Sequence, residues 1–128
     1  MRDAMVRRLG AAIVVVVLGG CGSTVTADFS PKRGTQTREG QLPPHEWSCG
    51  LAFGQVAKDD VTVQVSPVSV YLEMRTGGCD TGGTLLSSSS TGTLVMKLDS
   101  GGYHVRIGNP TDATVQYSLQ VEHLFPGV

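Results

Sequence analysis

The side chains able to do chemistry are few and scattered in this 128-residue chain. There are three Cys (Cys21, Cys49, Cys79) and three His (His45, His104, His123). No His stands at metal-ligand spacing from another ligand type, so no metal site is expected. Asp59-Asp60 lacks the acid and Gly spacing of a calcium loop and suits a turn. Ser is abundant at residues 87–90, but nucleophilic catalysis needs a base or an elbow beside the hydroxyl, and neither is there. The Gly pairs at 77–78, 82–83 and 101–102 precede strand-like segments, not helices. No helix amino terminus therefore supplies aligned donors to a phosphate. No cofactor is expected.

Asp80-Thr81-Gly82 is the best catalytic candidate, and it resembles the aspartic-peptidase signature. In that family two Asp carboxylates share a proton and activate a water. A chain this short would supply one Asp to a homodimer, and Ile107-Gly108-Asn109 is similar to the later glycine motif of such dimers. That family also needs an apolar strand leading into the Asp. Here Gly77-Gly78-Cys79 leads in, so Asp80 reads as part of a Gly-rich turn.

The amino terminus carries a different kind of chemistry. Residues 1–8 hold Arg2, Arg7 and Arg8 against one acid, Asp3, and residues 9–18 are an apolar run. A basic head, a short apolar stretch and small residues before a cut site define a secretory signal. As a helix the run would span about 15 Å, half of a ~30 Å hydrocarbon core, too short for a stable anchor. Leu18-Gly19-Gly20-Cys21 resembles the lipobox of bacterial lipoproteins. The resemblance implies a diacylglycerol thioether on Cys21, cleavage just before it, and attachment of the exported chain to the cell membrane or outer membrane. Residues 1–20 are then a signal peptide. The Arg7-Arg8 pair leaves open whether export follows the general or the twin-arginine route.

With Cys21 lipidated, Cys49 and Cys79 remain as a pair in an oxidising compartment, where a disulfide is expected. Closing its loop would stabilise the fold by about 3–4 kcal/mol on the chain-entropy model. Charge points away from nucleic acid: ten basic and eleven acidic residues give a net charge of -1. Removal of residues 1–20 leaves seven basic and ten acidic residues, a net charge of -3. Lipid, not charge, must hold the protein at a membrane.

These groups have to be positioned by a small domain. Residues 21–45 are polar, without strand or helix periodicity, and read as a flexible tether with a reach of about 25–30 Å. Residues 46–128 alternate apolar and polar positions. Trp47, Cys49, Leu51 and Phe53 form one apolar set, and Val61, Val63 and Val65 another. Val68, Val70, Leu72 and Met74 follow, then Leu94, Met96 and Leu98. Tyr103, Val105 and Ile107 form the next set, and Val115, Tyr117, Leu119 and Val121 the last. Antiparallel strands with one wet and one dry face predict an all-β fold, a small jelly-roll-like β-sandwich. The segment 98–107, with Tyr117-Ser118-Leu119-Gln120-Val121, resembles the closing strands of the bacterial pre-peptidase C-terminal domain. That resemblance implies an accessory β-sandwich appended to exported proteins, and no catalysis.

Alternation places Tyr71 and Arg75 outside on one strand and His104 and Arg106 outside on another, a candidate face for a protein or glycan partner. The expected class is a lipid-anchored, non-catalytic envelope protein acting as a binding or structural module. The other readings are a homodimeric aspartic peptidase using Asp80 and a small inhibitor of a hydrolase. Replacing Cys21 with Ser should block lipidation, so precursor accumulates on a gel of cell fractions. Normal maturation with retention through a carbonate wash would contradict the lipoprotein reading.

Overall fold

The computed structural model describes residues 13–18, 23–28 and 30–126, the first two segments by their backbone alone. Cys21, expected to carry the lipid, its neighbours at 19–20 and the basic head expected of a signal peptide lie outside the described residues. Strands β1 (Ile13–Leu18) and β2 (Ser23–Asp28) pair antiparallel as a ribbon, hydrogen-bonded to neither of the larger sheets.

The rest is the expected all-β architecture, two four-stranded antiparallel sheets facing each other. The strands are β3 (Lys32–Leu42), β4 (Trp47–Gln55), β5 (Asp59–Ser66), β6 (Tyr71–Thr76), β7 (Leu85–Ser89), β8 (Thr93–Leu98), β9 (Gly101–Gly108) and β10 (Val115–Phe125). One sheet has the order β3-β10-β5-β8 and the other β4-β9-β6-β7. Val61, Val63, Leu119 and Val121 from the first meet Leu72, Met74, Val105 and Ile107 from the second, all essentially inaccessible to solvent. Each such side chain contributes roughly 1.5–3 kcal/mol when it leaves water. Period-two alternation makes these strands readable, because polar residues alternate with the buried apolar ones along each.

The tether reading of residues 21–45 needs correction. Residues 23–28 are in β2, and Lys32–Leu42 is an edge strand of the sandwich, paired with β10 along its whole length. Apart from buried Leu42, β3 is exposed or half-buried. It is held by backbone hydrogen bonds to β10, not by an apolar face, so hydrophobic periodicity could not reveal it. Likewise Ser87 to Ser89, which carry no apolar alternation, complete β7, an edge strand whose residues are all exposed or half-buried. Edge strands are the ones composition hides.

Two buried polar side chains tie the sheets' ends together. Asn109 donates from Nδ2 to the carbonyls of Leu42 (3.0 Å), Pro43 (3.1 Å) and Ala113 (2.7 Å), while its Oδ1 accepts from the Thr111 amide and hydroxyl. Asn109 is thus the rivet between the β3–β4 and β9–β10 corners. At the other end, His123 lies between the rings of Phe53 (4.7 Å) and Phe125 (4.2 Å). Its Nδ1–H donates to the Leu124 carbonyl (2.9 Å), and Nε2 lies 2.7 Å from Gln36 Oε1. Turning that amide over presents its NH2 group to Nε2 of the neutral ring.

Burial holds the His123 pKa below the ordinary 6.5; the nearby Arg33 charge lowers it further and the Leu124 hydrogen bond opposes both. The unfolded chain therefore takes up a proton at pH values where the folded chain does not. The His123 contribution to stability is complete above about pH 6.5 and declines as the pH falls toward the lowered folded value. Thermal unfolding from about pH 7 to 5 should show a steeper loss of Tm for the native protein than for His123→Gln. Parallel curves would contradict this assignment.

Candidate functional site

The site is built on the outer face of the β4-β9-β6-β7 sheet, and a bulge creates it. β4 pairs regularly with β9 from Trp47 to Cys49, slips by one residue, and resumes at Leu51 opposite Val105. The extra residue is Gly50, buried where a Cβ would lie 2.6 Å from Leu119 Cδ2 and 3.3 Å from Ile107 Cγ2. A bulge moves every residue before it to the opposite face. Leu51 and Phe53 therefore enter the core while Trp47, 41% exposed, and Cys49 face outward. The single apolar face expected for Trp47, Cys49, Leu51 and Phe53 is split in two. An isolated Gly within an alternating strand was the available signal.

Facing outward, Trp47 meets residues the alternation did place there. Trp47 and Tyr71 both pair with Gly108 of β9, one from each side. Their ring centroids are 6.3 Å apart at an interplanar angle of 44°. The Arg106 guanidinium lies 5.4 Å from the Trp47 ring centre, a cation–π contact. Two pairs further along the sheet, on the same face, Cys49 and Glu73 flank Arg106. Glu73 Oε1 accepts from Arg75 Nε at 3.0 Å and lies 3.7 Å from Arg106 Nη1. Two guanidinium groups thus share one carboxylate, leaving a net positive charge beside an aromatic pair. Trp, Tyr and Arg are the side chains most enriched in the energetic centres of protein–protein interfaces.

One member of the expected face is not available. His104 does project from the outer side of β9, but it is wholly buried. The loop of residues 77–83 folds back over it, and the Gly77 carbonyl accepts from His104 Nδ1 at 2.9 Å. Nε2 of the same ring has no hydrogen-bond partner. Cys49 and Cys79 form the expected disulfide, with Cα atoms 5.6 Å apart, and this bond pins the loop across β9. Arg75 holds the other end of the loop, donating from Nη1 to the Gly82 and Gly83 carbonyls at 3.2 and 3.4 Å. Gly83 has φ +60°, and a Cβ there would collide with the Thr76 carbonyl. Alternation sees one strand at a time and cannot see a distant loop closing over it.

Asp80 stands exposed at the tip of this loop. The turn's own hydrogen bonds come from Thr81, whose amide and hydroxyl both donate to the Gly78 carbonyl at 3.1 and 2.7 Å. No apolar strand carries the carboxylate toward a dimer axis. His45 is elsewhere, 2.6 Å from Asp112 on the surface. The three His side chains occupy three separate surroundings, and no group of three His, Cys, Asp or Glu converges among the described residues.

A small β-sandwich with one aromatic, cationic sheet face is the class that fold and site define. Among solved structures the chain is similar to Aeromonas hydrophila PliG, a periplasmic inhibitor of g-type lysozyme. That likeness has a TM-score of 0.57 at 15% identity, over 71% of this chain and 86% of the other. A mutant of the Escherichia coli PliG matches with a TM-score of 0.47 at 17% identity, over 71% of this chain and 87% of that one. At 15% identity the likeness to the Aeromonas protein shows a shared fold alone. No family model and no curated protein matches the sequence.

Trp47 is the chain's only Trp, so its fluorescence reads the site directly. A Cβ at Gly108 would lie 2.7 Å from the Trp47 ring. Since the ring is half in solvent, Gly108→Ala should displace it rather than unfold the protein, with a stability change of at most about 1 kcal/mol. Emission should shift to the red and acrylamide quenching should rise. An unchanged spectrum would mean that Trp47 does not rest on Gly108.

Proposed function

We propose that this protein is an exported, lipid-anchored, non-catalytic binding protein that uses the Trp47–Tyr71–Arg106 face to dock onto a hydrolase and inhibit it. The observation carrying the reading is that face. An exposed aromatic pair lies on a rigid sheet with a cation over one ring and a half-buried carboxylate shared by two guanidinium groups, and a disulfide-pinned loop forms one wall. Such groups order little on binding and so lose little entropy. The fold shared with PliG supports an inhibitor, and makes g-type lysozyme the first partner to test. Anchoring through Cys21 would hold the inhibitor where an enzyme attacking the envelope arrives. Asp80, exposed on a Gly-rich turn, has no part in this reading.

Lysis of bacterial cell walls by g-type lysozyme, followed as turbidity with increasing amounts of the protein, is the direct assay. The native protein should inhibit at near-stoichiometric amounts. Trp47→Ala should weaken inhibition by about 2 kcal/mol or more, roughly thirtyfold, with little change in Tm. Full inhibition by Trp47→Ala would remove this face from the reading. No inhibition by the native protein would remove g-type lysozyme as the partner.

A further inference from the structure

The opposite side of the sandwich has a different chemistry. On the outer face of the β3-β10-β5-β8 sheet, register aligns Thr37, Gln120, Gln64 and Thr93 in a single row across all four strands. Ser118 beside Ser66 lies on one side of that row, and Glu122 beside Thr62 on the other. Two shallow grooves run over these residues. One, of about 330 Å³, reaches from Gln64 and Gln120 past Ser66 and Ser118 to Val68. The other, of about 260 Å³, reaches from the same two Gln to Thr62 and Glu122. Because Gln64 and Gln120 line both, the two grooves adjoin at that pair as one shallow, open surface channel. Along β5 from Ser66 to Thr62 it covers about 13 Å.

The channel's chemistry selects among ligands. No Lys or Arg lines it, and its one carboxylate, Glu122, lies 3.5 Å from Arg33. Phosphates, anionic lipid headgroups and nucleic acid find no counter-charge there. Apart from Val65 and Val68 at one end the lining is polar, which suits neither an acyl chain nor the dry centre of a dimer. The Gln64 and Gln120 amides hydrogen-bond no other described residue. Each offers two donors and an acceptor, and the Ser and Thr hydroxyls around them can do either. An array of uncommitted, uncharged donors and acceptors in an elongated groove matches a chain of hydroxyl groups.

We infer that this channel binds an uncharged polysaccharide strand, on the face of the sandwich opposite the Trp47 site. The two sites share no side chain, so either can fail alone. Isothermal titration of the detergent-solubilised protein with chito-, cello- and malto-tetraose tests the inference. At least one should bind with a Kd below about 1 mM. Gln64→Ala/Gln120→Ala should weaken that binding at least about tenfold, while Trp47→Ala leaves it unchanged. Should the double variant fail to fold, Thr93→Arg, which puts a bulky cation into the same row, gives an equivalent readout. Three outcomes would overturn the inference: no binding of any of the three oligosaccharides, binding retained when the channel is altered, or binding lost in Trp47→Ala. A dimer in sedimentation that dissociates in the double variant would also overturn it, by making a second copy the occupant.

Discussion

One extra residue in β4 governs what this protein can present to a partner. Leu51 and Phe53 must enter the core, and strict alternation would then drag Trp47 and Cys49 in with them. Gly50 breaks the alternation at a point where the Leu119 and Ile107 side chains leave no room for a Cβ. Two consequences follow from that single slip. Trp47 lands on the outer face opposite Gly108, within reach of Tyr71 and Arg106. Cys49 lands on the same face, where Cys79 can reach it. Aromatic patch and disulfide are two products of one bulge.

The disulfide in turn shapes the ground around the patch. A sandwich of this size has a thin core, and closing a loop over a sequence separation of 30 residues adds about 3–4 kcal/mol on the chain-entropy model. The bond holds the loop over His104, whose Nε2 finds no hydrogen-bond partner among the described residues. Arg75 and Glu73 secure the loop from the sheet side while Glu73 also steadies Arg106. The loop is therefore a fixed wall, and Arg106 has a fixed orientation against Trp47. A partner meeting this face would find it already arranged.

Much of the fold could be read from residues alone, because β5, β6, β8 and β10 each bury one face and wet the other, while β9 keeps the alternation of residue types although its outer His104 is covered. β3 could not, since Thr35, Thr37 and Arg38 belong to an edge strand held by its backbone. The disulfide was readable through cysteine counting, and Tyr71 and Arg106 through alternation. Alternation that runs straight through Gly50 places Trp47 on the wrong face. It places His104 on the surface, because the cover over it, residues 77–83, comes from another part of the chain. The patch depends on one local exception to period two and one long-range closure, and neither leaves a mark in hydrophobic periodicity.

Hydrogen exchange on the complex with a g-type lysozyme tests the central claim most directly. Peptides covering Trp47 to Cys49, residues 71–75 and residues 104–108 should gain protection on binding. The strands of the opposite sheet, β3, β10 and β5, should exchange as they do in the free protein. Protection confined to that opposite sheet, or none within the Trp47 face of a complex that forms, would contradict the account.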